Sequence, residues 1–457
     1  MKSRFASLLT ACFFTMLLVS LAGAEKTFPK VQFSQLTLDN GLRVILAPDH
    51  TAPVLAISVA YDVGSRNERP GRTGFAHLFE HMMFQGSENV GKGEHFILLE
   101  NYGGDLNGTT NEDRTIYYET VPKNQLDLLL FLEADRMAKL AVNQANLDNQ
   151  RNAVQEERRL GIDNQPYGKA FLEIDSLAYD CFGYKHSTIG SMADLSAADL
   201  NDVKEFFRIY YAPNNAVLTL VGDFDPAEAT EKIKKYFADI ARQPAAPAAP
   251  LCEEDRYGER RETIMDPLAR VPMVLVAYQS PPGNTPENYA IRVLADILGT
   301  GQSSRLYEEL VKNKQLATQV QVQPDARRGP SLLYFFISLR PRVKPEDAER
   351  ALYDVIDSVI KNGVTAGEIK KAQMQNRRRT VTTRESALQV ANRLGNNAIY
   401  FNDPDLINTS LDKFNAVTAQ DVQKAAAKFL VPRTRTVVVA LPPTGSEQPE
   451  AHSGGQQ

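Results

Sequence analysis

Cysteine is scarce, with three in 457 residues. Cys181 and Cys252 have no CxxC neighbour, so neither reads as a metal ligand. They could pair in an oxidising compartment, and the sequence leaves that open. Excess positive charge is also missing: 51 Lys and Arg stand against 56 Asp and Glu, a formal net charge of −5. No basic patch interleaved with aromatics occurs, so nothing points to nucleic acid. Apolar runs of spanning length are absent beyond the N-terminus, so the mature chain is expected to have no transmembrane segment.

The N-terminus has the form of a secretory signal. Lys2 and Arg4 precede an apolar stretch over residues 8–21, and Ala22-Gly23-Ala24 is a small-x-small cleavage site. Residues 1–24 are therefore expected to be removed, Cys12 with them, and the chain exported to the periplasm or secreted. Losing Lys2 and Arg4 takes the net charge from −5 to about −7. The rival reading is an uncleaved anchor, for which the apolar run is short. Leu9-Thr10-Ala11-Cys12 faintly resembles a lipoprotein box but stands too early. Composition is otherwise that of a globular chain, 43% apolar and 23% charged, and the length calls for two or three domains.

The stretch that organises the chain is residues 72–84. Gly74 and Gly86 bracket a run of helix formers that is apolar nearly all round: Phe75, Ala76, Leu78, Phe79, Met82, Met83 and Phe84. Such a helix is buried, yet it carries His77, Glu80 and His81, which are costly to bury without partners. His77 and His81 are four apart, so they stack on one face roughly 6 Å apart along the axis. That spacing suits two nitrogens of one tetrahedral zinc, and Glu80 precedes the second ligand, within reach of a water there. The order H-x-x-E-H is the inverse of the commoner zinc-protease motif. The alternative for any one buried histidine is a satisfied core residue.

Ahead of this helix, residues 35–39, 42–47 and 54–61 read as strands, the first two joined by an Asn40-Gly41 hairpin turn. After it come a helix at 94–101, strands within 107–118 and a long helix at 125–140. The next helix, about 147–160, has Leu147, Ala153, Val154 and Leu160 on its apolar face at ~100° per residue. Glu157 falls near the centre of that face, and Gln150 lies on the same side. An acid there requires either a cation or a buried arginine, for which Arg151, Arg158 and Arg159 are available. His186, in a loop over residues 181–190, is most simply a polar loop residue. Ser196 is expected to cap the helix that follows.

Residues 243–250, QPAAPAAP, form a Pro/Ala linker. Beyond it the pattern repeats. Val417-Thr418-Ala419-Gln420-Asp421-Val422 echoes Leu195-Ser196-Ala197-Ala198-Asp199-Leu200, and a proline and an apolar strand follow each. The offset is 222 residues at the start and 219 at Pro213 and Pro432. The expected architecture is α+β: a domain at 25–242 bearing the metal motif, the linker, and a homologous domain at 251–443 without it. The polar tail, 444–457, is expected to be disordered.

These residues resemble the pitrilysin/insulinase-type zinc peptidases, in particular the branch of mitochondrial processing peptidase subunits and short bacterial homologues. His77-Leu78-Phe79-Glu80-His81-Met82-Met83-Phe84-Gln85-Gly86 is similar to that family's metal helix. Gly103-Gly104-Asp105-Leu106-Asn107-Gly108-Thr109-Thr110 resembles its glycine turn and edge strand, residues 150–157 the segment of its distal ligand, and residues 303–307 a recurrent second-domain segment. The resemblance implies two homologous α/β-roll domains facing each other, with one zinc per chain held by His77, His81 and Glu157. It implies that Glu80 is the general base for zinc-activated water in endoproteolysis of peptides or unfolded segments. Asn107, Gly108 and Thr109 would hold substrate along a sheet edge. Several relatives carry a second Glu at the position of Gln150, which here can only hydrogen-bond a histidine ligand. The partner would be a second copy or a related chain lacking the motif. The alternatives are a zinc-bearing subunit inactive without its partner and a non-catalytic structural homologue. Structural homologues characteristically lose part of the H-x-x-E-H set, which is complete here.

Overall fold

The computed structural model describes residues 29–252 and 258–443. The expected signal peptide and the polar tail lie outside the described residues. Among the described residues, eleven strands form two sheets. The first contains β1 Ser34–Thr37, β2 Arg43–Pro48, β3 Val54–Tyr61, β4 Asp105–Thr110, β5 Thr115–Pro122 and β6 Ala216–Gly222, in the order β1-β2-β6-β3-β5-β4. The second contains β7 Arg260–Met265, β8 Met273–Ser280, β9 Ala317–Pro324, β10 Ser331–Leu339 and β11 Arg435–Leu441, in the order β7-β11-β8-β10-β9. The second sheet repeats the strand order of the first, with no counterpart of β1 among the described residues, where the β2–β6 and β7–β11 pairs alone are parallel. The Asn40-Gly41 turn forms as expected: Gly41 has φ +92°, which a side chain would resist, and β1 pairs antiparallel with β2.

Helices of eight residues or more are α1 Phe75–Met82, α2 Glu94–Asn101, α3 Leu126–Lys139, α4 Gln144–Arg158, α5 Gly168–Ala178, α6 Leu200–Tyr210, α7 Pro226–Phe237, α8 Pro286–Gly299, α9 Pro345–Asn362, α10 Ala366–Arg384, α11 Ala387–Phe401, α12 Leu406–Asn415 and α13 Ala419–Phe429. The repeat is longer and more regular than the sequence echo. A constant offset of 219 residues carries Val54 to Met273, Leu126 to Pro345, Gly168 to Ala387, Leu200 to Ala419 and Ala216 to Arg435. The echo at 222 was therefore three residues out of register. Asp199, not Ser196, caps α6, its carboxylate accepting from the amides of Asn201 and Asp202. Thr418 caps α13 at the corresponding place. Ser196 instead lies within a short preceding helix, Met192–Ala197, capped by Ser191.

The two halves cover each other's sheets. The apolar face of the first sheet (Leu55, Ile57, Val59, Leu218, Leu220) joins a core with α1 and α3. Its other face carries Ser58, Ala60 and Thr219, over which Gly395 of α11 packs; a Cβ there would stand in ordinary contact with them, at 3.5–3.6 Å. Reciprocally, Ala170, Ile174 and Ala178 of α5 pack with Leu275, Ala277, Leu332 and Val438 of the second sheet. Both sheets lie in one compact unit from Phe33 onward. Residues 243–250 form neither helix nor strand. Cys181 and Cys252 form a disulfide (Cα–Cα 5.3 Å) across 71 residues of sequence. A closed loop of that length stabilises a fold by about 4 kcal/mol in the chain-entropy model.

Candidate metal centre

The helix α1 is held rigidly from below and at its start. Phe75, Ala76, Leu78, Phe79 and Met82 are buried, and Phe79 stacks on Phe206 (5.2 Å between centroids) and Tyr211 (5.0 Å). Burying such a side chain contributes about 1.5–3 kcal/mol. At the N-terminus, Gly74 adopts φ +89° with its Cα facing the carbonyl of Ile189, where a Cβ would come within 2.6 Å. The first turn is capped from a distance. Glu68 accepts hydrogen bonds from the amides of Gly74 (2.9 Å) and Ala76 (2.8 Å), placing a carboxylate at the positive end of the helix.

Glu68 is buried, and burial pushes its pKa up despite the hydrogen bond from His186. His186 Nε2 lies 2.8 Å from Glu68 Oε2 and its Nδ1 lies 2.7 Å from the carbonyl of Phe182. Two acceptors on one ring favour the imidazolium. Burial opposes that charge, but the hydrogen bond and charge of Glu68 outweigh it and raise the His186 pKa. The sequence reading of His186 as a plain loop residue is thus corrected: it and Glu68 fix the entry of the histidine-bearing helix.

From this base His77 and His81 project together, their rings 4.8 Å apart and nearly perpendicular. His77 Nε2 lies 3.6 Å from Glu157 Oε1, and His81 Nε2 lies 3.1 Å from Glu157 Oε2. One ligand atom from each residue lies within 4.8 Å of the other two, the only such group of three or more among the described residues. Ligands at ~2.0–2.1 Å from a tetrahedral zinc stand about 3.4 Å from one another, and the two histidine–carboxylate distances lie close to that value, so this donor set suits that ion. The hydrogen bond from His81 leads in lowering the Glu157 pKa, with the histidine charges adding to it. Burial, then the neighbouring His81, lowers that of His77. Both shifts favour the ligating forms, carboxylate and neutral imidazole.

Two expectations about α4 need correction. Its buried stripe is Leu147, Gln150 and Val154, while Ala153 is exposed and Leu160 is 58% exposed. Glu157 ends the stripe where the helix leaves the core, and its side chain is 48% exposed to the cleft. None of the three candidate arginines takes it: Arg151 pairs with Asp148, Arg159 with Glu156, and Arg158 with Asp163 and the carbonyl of Gly190. The second concerns Gln150, whose amide donates to Asn149 Oδ1 (2.7 Å) rather than to a histidine. The buried Nδ1 of His77 has no hydrogen-bond partner.

Glu80 faces β4, the outer strand of the first sheet. A Cβ on Gly108 would stand 2.9 Å from Glu80 Cγ, so glycine is what lets the strand run beneath the carboxylate. Tyr117, opposite Gly108 on β5, donates its hydroxyl to the carbonyl of Phe79 (3.1 Å). Arg114 donates to the carbonyl of Thr109 (2.7 Å). Asn107, Gly108 and Thr109 therefore lie on a strand edge with no neighbour within the sheet, beside the base and the ligand cluster.

A model described as insulinase (peptidase family M16) matches residues 43–190, and one described as peptidase M16 inactive domain matches residues 197–376. The zinc protease PqqE of Helicobacter pylori is 29% identical over 434 residues, covering 94% of this chain and 97% of that one. An uncharacterized zinc protease of Streptomyces coelicolor, SCO5738, is 26% identical over 415 residues, covering 88% of each. The crystal structure of a protease from Helicobacter pylori superposes with a TM-score of 0.87 at 28% identity, over 91% of this chain and all of that one. The first half of the periplasmic protease PqqL from Escherichia coli shares the fold, with a TM-score of 0.72 at 19% identity over 91% of this chain and 93% of its own. Matched in both halves and in order, this chain belongs to the pitrilysin/insulinase-type peptidase family, M16.

Proposed function

We propose that the chain is an exported zinc metalloendopeptidase acting on peptides or unfolded protein segments. The observation that carries this reading is the convergence of His77, His81 and Glu157 beside Glu80 and an open strand edge. Zinc held by these three residues would supply a Lewis acid that polarises the scissile carbonyl and lowers the pKa of a water toward about 7. The carboxylate of Glu80 takes the proton from that water and delivers it to the leaving nitrogen. An extended peptide adds to β4 through main-chain hydrogen bonds along Asn107, Gly108 and Thr109, which gives loose sequence preference. Glu68 and His186 keep α1 from shifting, so the two imidazoles and Glu80 hold their mutual geometry.

Export is supported by the signal-like N-terminus and by the Cys181–Cys252 disulfide, which persists in oxidising compartments. The half-exposed Glu157 and the uncovered edge of β4 leave the site open to water. A second copy, or a related chain without the zinc motif, would close it. The test compares hydrolysis of mixed unfolded peptides by the wild type and Glu80→Gln at matched zinc content. The expected loss is about 10²–10⁴-fold, and equal activity in both would remove Glu80 as the base.

A further inference from the structure

Behind α1 lies a cluster of ionisable groups with no part in the chemistry above. Glu119 on β5, His95 on α2, and Glu133 and Arg136 on α3 meet there, and no side chain among them is more than 4% exposed. Arg136 donates to Glu133 from Nε (to Oε2, 3.0 Å) and from Nη2 (to Oε1). The same Nη2 reaches Glu119 Oε1 at 3.4 Å, and His95 Nε2 stands 2.6 Å from that oxygen. Glu119 and Glu133 also share a hydrogen bond. Two carboxyl groups form one only when one of them carries a proton.

Charge balance leads to the same proton. In the ordinary forms at neutral pH, one guanidinium stands against two carboxylates, and the imidazole is neutral. A surplus charge in a dry site is costly, and one added proton removes it. The imidazole does not take that proton, because burial, then the charge of Arg136, lowers the His95 pKa to about 3. Burial pushes the Glu133 carboxyl up to about 8 against the pull of Arg136, and it pushes up Glu119 as well. The two carboxyls titrate as one unit. The other ionisable groups nearby are the hydroxyls of Tyr61 on β3, Tyr117 on β5 and Tyr211. Burial raises the pKa of all three, so they stay neutral while the pair titrates.

The cluster touches α1 through Arg136. Its guanidinium lies over the rings of Tyr117 (4.7 Å) and of Phe84, just past the end of α1 (5.3 Å). Tyr117 in turn donates to the carbonyl of Phe79, the residue before Glu80 (3.1 Å). Beside Arg136, Asp135 accepts from Ser87 Oγ (2.5 Å) and from the amide and side chain of Asn89 (3.1 and 2.7 Å), so α3 also grips the segment that leaves α1. A second negative charge on the carboxyl pair draws the guanidinium away from the two rings, because a carboxylate is the stronger partner for a cation.

We propose that Glu119 and Glu133 keep one shared proton through neutral pH, and that this proton holds Glu80 in position by way of Arg136, Tyr117 and α1. The link to Glu80 rests on the peptidase reading, while the proton itself does not. All four members of the cluster are positioning residues. The test uses the zinc-loaded full chain. At neutral pH its infrared spectrum should show the carbonyl band of a protonated carboxylic acid, missing from Glu133→Gln, whose amide donates to Glu119 as the acid does. As the pH rises through about 8 the wild type should lose that band. Protection of the α1 amides, taken against the intrinsic exchange rate, should fall with it in the wild type and hold in the variant. Per folded, zinc-loaded molecule, the wild-type kcat should drop about tenfold relative to the variant over the same range, with KM little changed, because a displaced base slows chemistry more than binding. Glu119→Gln removes the same surplus charge and serves if Glu133→Gln does not fold; if neither folds, the wild-type band and α1 protection decide. A wild type without the band at neutral pH would overturn the proposal, and so would a band lost with no change in α1 protection. A ratio of variant to wild-type kcat that stays constant through the titration would also overturn it. An absence of hydrolysis in both chains would count against the peptidase reading alone, and the band and the amide protection, which need no turnover, would decide this one.

Discussion

Two helix pairs, one in each half, occupy the same place in the repeat and carry opposite chemistry. The pair α1 and α4 presents two imidazoles and a carboxylate to a common point. The pair α8 and α10 presents guanidinium groups around a cavity, with Asp296 already paired to Arg379. The strand beneath each pair differs in a complementary way. In the first half the glycine is on the strand: Gly108 makes room for Glu80. In the second it is on the helix: Gly299 makes room for Val322 of β9, whose Cβ would otherwise be 2.5 Å from its own. The strands behind match, Tyr117 facing Gly108 and Phe335 facing Val322, both fully buried. The backbone thus supplies a location, and the side chains set there decide its chemistry.

The comparison breaks most sharply at the ligands. His81→Ala should weaken zinc binding by more than about 100-fold, read as metal content after dialysis. Asp296→Ala, which the offset of 219 residues places opposite His77, should leave zinc content at the wild-type level. Equal loss in both would mean that the metal is not held by the first pair. Next in size is Gly108→Ala. The new Cβ must displace Glu80, and a misplaced base costs about 100-fold in kcat, with zinc retained. Val322→Ala merely trims a side chain beneath Gly299 and should leave peptide hydrolysis near the wild-type rate.

A smaller effect is expected from the distant cap. Glu68→Gln removes the carboxylate that joins the α1 amides to His186, at about 1–3 kcal/mol of stability, read by urea unfolding. His186→Ala should cost less when made in the Glu68→Gln background than alone, because the two act as one unit. Additive costs would separate His186 from the cap.

This cap also marks where sequence reasoning stopped. The metal helix was legible because its signal is local: apolar residues all round, with His77 and His81 one turn apart. Glu157 was legible from helical periodicity, although its exposure was not, because periodicity does not say where a helix leaves the core. Glu68 and His186 were invisible because 118 residues separate them and neither stands in a motif. The Glu68 signal, an acid six residues before a glycine that opens a buried helix, is too common to be selective. The repeat was seen in the wrong register, since a serine and an aspartate three residues apart are both good caps and only the fold shows that Asp199 is used. The exchange of α5 and α11 between the halves had no sequence signal at all. Burial of Ala, Ile and Gly says that a face is covered, not by which half.

The finest distinction between the halves concerns acid. The start of α10 is held by Glu368, which accepts from Arg305 (2.7 and 2.9 Å) and from the amide of Thr365 (2.8 Å). The Arg305 hydrogen bond is the main cause that lowers the Glu368 pKa from 4.5 to about 2. A carboxylate depressed on folding contributes stability that is present above its unfolded value and is lost as pH falls from about 4.5 to 2. Because the pair is still partly exposed, solvent screening holds that contribution to about 1 kcal/mol. The start of α4 is held by the neutral side chain of Asn143, which accepts from the Asn146 amide and does not titrate. At the start of α1 the sign reverses, because the Glu68 pKa is raised, so its protonation on acidification favours the folded state. Lowering the pH from 6 to 3 should therefore reduce amide protection, exchange measured against the intrinsic rate at each pH, in the first turns of α10 more than in those of α1 and α4, and Glu368→Gln should abolish the difference. If all three helix starts loosen together, acid acts on the fold as a whole, and the two pairs are not anchored independently.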